Sequence, residues 1–210
     1  MSEAKRDFSK EAATWDEQPT RVKLAQDIAS AIRSDVQLTP DMDVLDFGCG
    51  TGLVSLQLQP SVRTLTCVDS AQGMLDVLDA KAKMLGLENV QTRHIDLDAG
   101  GAITGNYHLI VSSMTFHHIP DVGALLSRFA AAMPSGARVC IADLDSEGGR
   151  FHGDNTGVFH LGFDRPVLRQ AFQEAGFIDV RDRTAAEVVK PDAEGNPTPF
   201  SVFLMTGTRA

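Results

Sequence analysis

A short apolar segment that runs directly into three closely spaced glycines is the feature that most restricts the fold of this chain. Residues 44–52 read VLDFGCGTG, which places Gly48, Gly50 and Gly52 immediately after the apolar residues. Glycine adopts positive φ angles without steric penalty and lets a ligand come close to the backbone. A helix that begins after such a loop offers unpaired N–H groups at its N-terminus. The segment therefore predicts a buried strand, a ligand-binding turn and a helix.

Strand and helix patterns alternate along the rest of the chain. Short apolar runs predict strands over 42–48, 63–69, 89–95, 107–113, 137–144, 177–185 and 200–208. Apolar residues at helical spacing predict helices over 19–36, 53–59, 72–85, 122–133 and 164–175. The segment 190–199 is rich in turn-forming residues and predicts the link between the last two strands. This alternation is typical of βαβ units, whose parallel sheet is covered by helices on both faces.

Composition narrows the class of protein. The chain has 210 residues, 43% of them hydrophobic and 22% charged, which fits one globular domain over residues 1–210. A net charge of -9 argues against a broad nucleic-acid surface. No apolar run approaches the roughly 18 residues that a membrane span needs, and the N-terminal segment lacks the apolar core of a secretory signal. We therefore expect a cytoplasmic protein that binds neither nucleic acid nor a membrane. We further expect a monomer or homodimer, with a small molecule as its partner.

Two acidic residues beside the glycines indicate which ligand the loop binds. Asp69 ends the second predicted strand, where a carboxylate can accept hydrogen bonds from a ribose diol. A dinucleotide fingerprint requires glycine at position 53, which is Leu53 here. Asp46 precedes the glycines, and its charge would repel a pyrophosphate but attract a cationic amine or sulfonium. The pattern predicts a nucleoside ligand with a positive charge and disfavours a nicotinamide dinucleotide.

These residues resemble the class I S-adenosylmethionine-dependent methyltransferases, particularly their small-molecule branch, from Phe8 to about Thr208. The resemblance implies an α/β fold, a Rossmann-like three-layer sandwich around a mostly parallel seven-stranded sheet. Its strand order would be 3-2-1-4-5-7-6, with strand 7 antiparallel. Residues 1–40 would form an N-terminal helical lid or cap. The implied cofactor is S-adenosyl-L-methionine, which becomes S-adenosyl-L-homocysteine.

The same resemblance implies a role for individual residues. The glycine loop would hold the methionine part and the ribose, Asp46 would face the amino group, and Asp69 would bind the ribose hydroxyls. Trp15 would either pack in the N-terminal segment or cover the cofactor, and Arg21 would either lie on a solvated helix face or pair with the cofactor carboxylate. The predicted cofactor-binding residues are Trp15, Arg21, Asp46, Gly48, Cys49, Gly50, Gly52, Asp69, Ser70, Met74, Asp96, Leu97, Ser112 and Ser113.

Two segments are candidates for the acceptor side of the site. His117 and His118 follow the fourth strand, and either could be a general base because histidine titrates near neutral pH. The alternative is that the pair only hydrogen-bonds locally at a helix start. Residues 143–163 form a long loop without regular periodicity, which is often functional, although an ordinary surface loop with buried Phe anchors would look the same. Its candidate substrate-pocket residues are Phe151, His152, Phe159, His160 and Phe163.

A metal site has weaker support in the sequence. Asp143, His117, His152 and His160 could converge on a divalent ion, but they lack the short ligand spacing of sequence-recognisable metal sites. The three cysteines, Cys49, Cys67 and Cys140, form no C-x-x-C pair. We therefore predict no metal.

The sequence as a whole predicts methyl transfer to a small-molecule acceptor by in-line displacement. Nucleic-acid base methyltransferases of this fold often carry (N/D)PP(Y/F) after the fourth strand, where this chain reads SSMTFHHIP. Two alternatives stay open. One is a protein methyltransferase, and the other is a non-catalytic regulatory protein that binds S-adenosylmethionine or S-adenosylhomocysteine.

Overall fold

The computed structural model describes residues 7–97, 99–192 and 195–210. Residues 1–6 of the predicted cap and residues 193 and 194 of the predicted turn lie outside the described residues. The helices are α1 (Phe8–Glu11), α2 (Pro19–Asp35), α3 (Ser55–Leu58), α4 (Gln72–Leu85), α5 (Val122–Ala131) and α6 (Arg165–Glu174). The strands are β1 (Asp43–Phe47), β2 (Thr64–Asp69), β3 (Val90–His94), β4 (Leu109–Ser113), β5 (Arg138–Leu144), β6 (Phe177–Pro191) and β7 (Pro197–Arg209). Short 3₁₀ segments cover Ala12–Glu17, Gln59–Ser61 and Phe116–His118.

The strands form one seven-stranded sheet in the order β3-β2-β1-β4-β5-β7-β6. Strands β1 to β5 pair in parallel, and β7 is antiparallel to both of its neighbours. The predicted fold class and strand order are thus confirmed. The chain leaves β3 at one edge and returns as β4 beside β1, so the strand order reverses between β1 and β4. In open sheets of this kind, ligands bind beyond the carboxyl ends of the strands at that reversal.

Helices cover both faces of the sheet and make two separate hydrophobic cores. On one face α2, α3 and α4 contribute buried side chains such as Ile28, Leu58 and Leu78. On the other face α5 and α6 contribute Phe129 and Phe172. Successive residues of the buried strands alternate between the two cores, as a strand's side-chain period of two requires. Because helices cover both faces of the sheet, we expect a ligand to bind at the carboxyl ends of the strands.

The hairpin of β6 and β7 is longer than the sequence predicts. The predicted strands end at 185 and begin again at 200, whereas the observed pairing continues to Pro191 opposite Pro197. The extra pairs form because each strand supplies the other's hydrogen-bond partners and because Val188 and Phe200 are buried in a core. Turn-forming composition is a local signal, and this tertiary pairing overrides it. The extension also carries Val188 and Lys190 to the wall of the cavity described below.

The N-terminal segment is docked on the glycine loop and on α4. The side chain of Asp16 accepts hydrogen bonds from the Thr51 hydroxyl (2.5 Å) and the Lys81 ammonium group (2.7 Å). At the start of α4, the Gly73 N–H donates to the Ser9 hydroxyl at 3.1 Å. A Cβ at Gly73 would lie 2.7 Å from the Ser9 carbonyl oxygen, so glycine permits the close approach of α1. The segment thus lies over one end of the sheet.

No helix in the described part of the chain is long and apolar enough to cross a membrane.

Candidate active site

A cavity of about 530 Å³ opens at the carboxyl ends of the strands. Its walls come from the N-terminal segment, the glycine loop, the end of β2, the turn after β4, the loop after β5 and the end of β6. Sites for small ligands are clefts of this size, between roughly 300 and 1,000 Å³. The cavity occupies the reversal of strand order, where the fold predicts the site.

The glycine loop has the positive φ angles that its sequence predicts. Gly48, Gly50 and Gly52 have φ angles of 72°, 54° and 81°. A Cβ at Gly48 would lie 2.3 Å from Thr115 Oγ1, and one at Gly52 would lie 2.4 Å from Leu78 Cδ1. A Cβ at Gly50 would meet no described atom within 4 Å, although Gly50 lines the cavity. Gly48 and Gly52 therefore permit tight packing, and Gly50 leaves room for a ligand.

Asp69 holds the glycine loop and still faces the cavity. Its Oδ2 accepts from the Gly50 N–H and its Oδ1 from the Ala71 N–H, both at 2.8 Å. Burial raises the pKa of Asp69, and the N–H groups of Ala71, Gly50 and Ser70 oppose that shift. A carboxylate has about four lone-pair sites, two on each oxygen. The backbone N–H groups do not use every site, so the carboxylate can still accept a hydrogen bond from a ligand hydroxyl group.

Asp46 is a buried carboxyl group at the base of the cavity. Its side chain is 1% exposed and accepts a hydrogen bond from the Ser55 hydroxyl. Burial raises the pKa of Asp46 to about 7, with the Ser55 hydrogen bond opposing the shift and the Asp69 charge adding to it. A cationic ligand would favour the ionised form, so this position suits a positively charged group.

Aromatic and basic residues of the N-terminal segment form the roof of the cavity. The Arg21 guanidinium lies 3.7 Å from the centre of the Trp15 ring, and both residues line the cavity. The Phe8 ring meets the edge of His118, with ring centres 5.2 Å apart. The roof therefore connects the glycine-loop side of the cavity to the histidine side.

His117 is held by a buried carboxylate. Its Nδ1 lies 2.7 Å from Asp143 Oδ1, and Asp143 also accepts from the backbone N–H groups of Leu144 and His117. Burial alone would raise the pKa of Asp143, but His117 and these N–H groups bring it below its usual value. Because a carboxylate only accepts, the Nδ1 of His117 carries the proton, and in the neutral ring Nε2 carries the lone pair. His117 is 1% exposed and still lines the cavity.

Two further histidines lie beside this pair. His118 Nδ1 is 2.7 Å from the Gly157 carbonyl oxygen, which again assigns the proton to Nδ1. The His152 ring lies 5.0 Å from that of His117 and 5.8 Å from that of His118, between ring centres. Glu147 shapes the loop that carries His152 by accepting from the N–H groups of Gly149 and Phe151.

The cavity gathers most, but not all, of the residues predicted from the sequence. Those that line it are Trp15, Arg21, Asp46, Gly48, Cys49, Gly50, Asp69, Ser70, Met74, Asp96, Leu97, Ser113, His117, His118, Phe151, His152 and Phe159. Four described residues lie behind its walls, namely Gly52, Ser112, His160 and Phe163. The Ser112 hydroxyl donates to the Phe47 carbonyl oxygen at 2.7 Å. Phe163 is buried in a core and stacks beside His160, whose Nε2 lies 2.9 Å from the Ile119 carbonyl oxygen.

Sequence reasoning gave no cavity role to several lining residues. Thr115 lines the cavity against Gly48, and Lys190 reaches it from the extended β6. Asp16, which was not among the predicted site residues, holds the N-terminal segment in place through Thr51 and Lys81. Asp16 could have been found from its position next to Trp15. Lys190 could not, because it reaches the cavity through a strand extension that local composition does not reveal.

Comparison with known proteins shows similarity to methyltransferases. Residues 44–136 match a family model described as a methyltransferase domain. An uncharacterized methyltransferase of Schizosaccharomyces pombe is 31% identical over 120 residues, 54% of this chain and 42% of that protein. Aklanonic acid methyltransferase of a Streptomyces species is 28% identical over 111 residues, 51% of this chain and 50% of that protein. The chain thus spans about half the length or less of these relatives.

The fold also matches solved structures. A chain from the complex between the Haloferax volcanii Trm112 methyltransferase activator and a methyltransferase superimposes with a TM-score of 0.76. The match covers 98% of this chain and 99% of that chain, at 17% identity. Matched residues 44–136 contain the glycine loop, Asp69 and both cavity histidines of the turn after β4. Residues 44–136 are therefore similar to a methyltransferase domain, and the chain shares the fold of the solved methyltransferase structure.

Proposed function

We propose that this chain transfers a methyl group from S-adenosylmethionine to a small-molecule acceptor. The observation that carries the proposal is one continuous cavity with a nucleoside-type wall at one end and a histidine wall at the other. Asp46, Gly50 and Asp69 form the first wall, and His117 and His118 form the second. A transferase needs both a donor site and an acceptor site in contact, and this cavity offers both.

The donor end fits the chemistry of S-adenosylmethionine. Asp69 would hold the ribose hydroxyls with the lone pairs that its backbone partners leave unused. Asp46 would neutralise the positive charge of the cofactor, and Gly50 would leave room for it. Ser70, Asp96 and nearby lining residues would hold the adenine. When bound, S-adenosylmethionine supplies a methyl group already activated by its positive sulfur, so the protein mainly has to position the acceptor atom.

The histidine end would receive the acceptor and its proton. The Nε2 lone pair of His117 can accept a proton from a hydroxyl or amine. Asp143 fixes the ring orientation through the hydrogen bond to Nδ1. His117 and His118 are thus the proposed catalytic pair, with Phe151, His152 and Phe159 lining the acceptor region. The roof formed by Phe8, Trp15 and Arg21 limits the size of the acceptor, which favours a small molecule over a folded protein.

The experiment uses cofactor carrying a radiolabelled methyl group, added to a cell extract with and without the purified protein. We expect label to appear in small molecules. Label in the protein fraction would instead support a protein methyltransferase. If S-adenosylhomocysteine binds but no label is transferred to any fraction, the chain is a non-catalytic binding protein and the proposal is wrong.

One variant distinguishes an effect on turnover from an effect on cofactor affinity. His117→Gln should lower turnover by about 100-fold or more, the usual contribution of a general base. Its affinity for S-adenosylhomocysteine should stay at the wild-type value because His117 lies at the acceptor end. A His117→Gln enzyme with wild-type turnover would remove His117 from the proposed chemistry.

A further inference from the structure

Three imidazole rings meet at the acceptor wall of the cavity. His117 and His118 come from the 3₁₀ turn after β4, and His152 comes from the loop after β5. One ring nitrogen from each lies within 4.8 Å of the other two. Histidines separated by more than thirty residues in sequence are thus gathered at one point on the wall of a ligand cavity.

Hydrogen bonds at Nδ1 leave Nε2 as the available ligand atom of two of these rings. His117 Nδ1 is bonded to Asp143 and His118 Nδ1 to the Gly157 carbonyl oxygen. Both rings therefore carry a lone pair on Nε2. Metal-binding histidines almost always donate their second ring N–H to a carboxylate or a backbone carbonyl in this way.

A second observation concerns the Nε2 atom of His117. It is buried and has no hydrogen-bond partner among residues 7–97, 99–192 and 195–210. Buried polar atoms are normally paired, and an exception indicates a functional group or an absent ligand. A bound cation would pair this atom.

We propose that His117, His118 and His152 bind a divalent transition-metal ion, for which zinc is the best match. Imidazole nitrogens suit zinc, copper, iron and nickel, whereas magnesium and calcium prefer oxygen ligands. Zinc sites that act on substrates use three protein ligands and leave the fourth position open. Here that position would face the cavity. Tetrahedral zinc places its nitrogen ligands about 3.3 Å apart, so the three rings must draw together by about 1.5 Å at most.

The ligand set differs from the one that the sequence suggested and then set aside. His118 takes the place of His160, whose ring is turned to the Ile119 carbonyl oxygen behind the wall. Asp143 supports a ligand instead of being one, since its oxygens are used by His117 and by backbone N–H groups. The short spacing that a sequence motif would need is absent because the third ligand comes from another loop.

The site deepens the proposed function, on which its consequence for the acceptor rests. An ion at this point would bind an oxygen or nitrogen atom of the acceptor and act as a Lewis acid. With the ion bound, His117 Nε2 would hold it instead of serving as the general base of the metal-free cavity, and an acceptor hydroxyl bound to the ion would release its proton to water. The acceptor class is thus a molecule with an ionisable hydroxyl group that can coordinate the metal.

The test measures metal binding directly, on a chain without a polyhistidine tag. Calorimetry with zinc should give one site per chain, and cobalt(II) should give a visible spectrum of a nitrogen-ligated tetrahedral ion without a thiolate charge-transfer band. His117→Gln, His118→Gln and His152→Gln should each weaken zinc binding by more than about tenfold, and Asp143→Asn should weaken it by about 10- to 100-fold. His108→Gln is the matched control, because His108 lies outside the cavity on β4's amino-terminal side and should bind zinc as the wild type does.

S-Adenosylhomocysteine binding is measured on the same samples, so that the two proposals fail separately. His152→Gln is the decisive variant because its side chain sits on a loop outside the sheet, and its folding is checked by circular dichroism. Zinc binding that survives in His152→Gln at the wild-type affinity would overturn the site. So would a folded wild-type chain that binds S-adenosylhomocysteine but neither zinc nor cobalt.

Discussion

Asp46 is a buried carboxyl group whose protonation would respond to a cationic ligand. Its pKa of about 7 means that the carboxyl group holds a proton over much of the range in which an exposed aspartate is charged. A ligand with a positive charge would favour loss of that proton. The ionised side chain therefore destabilises the ligand-free fold, whereas it would stabilise a complex with a cationic ligand.

The free energy of unfolding should reveal this protonation. The pKa of Asp46 is about 7 in the folded chain, against a model value of 3.8. Between these values the folded form holds a proton that the unfolded form releases. The protonated Asp46 therefore contributes to the free energy of unfolding below about pH 4. This contribution is lost as the pH rises from there through 7, at about 1.4 kcal/mol per pH unit.

Denaturant unfolding of the ligand-free chain across this range, compared with Asp46→Asn, isolates the effect. The asparagine variant should lose less stability than the wild type between pH 4 and pH 7. Equal slopes for the two proteins would show that Asp46 titrates normally.

Two glycines of the loop allow packing and ligand space to be separated. Gly48→Ala would push a Cβ into Thr115 and should destabilise the fold by about 2 to 3 kcal/mol. Gly50→Ala meets no described atom, so it should lose only about 1 kcal/mol for its positive φ. It should nevertheless weaken S-adenosylhomocysteine binding by more than about tenfold, because the methyl group enters the ligand space. Calorimetry on both variants checks this, and wild-type affinity in Gly50→Ala would contradict the placement of the cofactor.

At the scale of elements, polar contacts of Asp16 join the N-terminal segment to the site. Asp16 connects it to the glycine loop through Thr51 and to α4 through Lys81. Because each such contact contributes about 1 kcal/mol, the segment can act as the predicted lid without determining the fold.

Asp16→Asn tests the lid. It keeps the shape of the side chain and removes the ion pair with Lys81, so we expect the KM for S-adenosylmethionine to rise by about 3- to 10-fold. The free energy of unfolding should change by less than about 1 kcal/mol. Asp7→Asn is the matched control, since the Asp7–Lys10 pair of the same segment is exposed. Equal KM values in both variants would argue that the segment does not cover the cofactor.

Elements were predictable where local signals and tertiary contacts agree. The helix predicted over 72–85 is observed as Gln72–Leu85, because apolar side chains at helical spacing face a core and Gly86 ends it with a φ of 66°. The helix predicted over 53–59 shrinks to Ser55–Leu58, since the glycine turn continues through Val54. The β6–β7 hairpin is longer than predicted because strand pairing depends on a partner strand that local composition does not specify.

At the scale of the molecule, the strand order was predicted from the family resemblance and is confirmed. The residues that line the cavity were predicted only in part. Phe163 and His160 looked equivalent to Phe151 and His152 in sequence, and only the course of the loop decides which side chains face the cavity. The pairing of His117 with Asp143 joins two strands' ends and has no local signature.

The most direct test of the central claim is the free energy of unfolding with and without S-adenosylhomocysteine. A ligand that binds only the folded chain, at 100 times its Kd, should add about 2.7 kcal/mol. We expect that gain in the wild type and in Asp79→Asn, an aspartate that bonds Thr92 away from the cavity, and its loss in Asp69→Ala. A folded, ligand-free wild type with no gain in stability would contradict the assignment of this cavity to the cofactor.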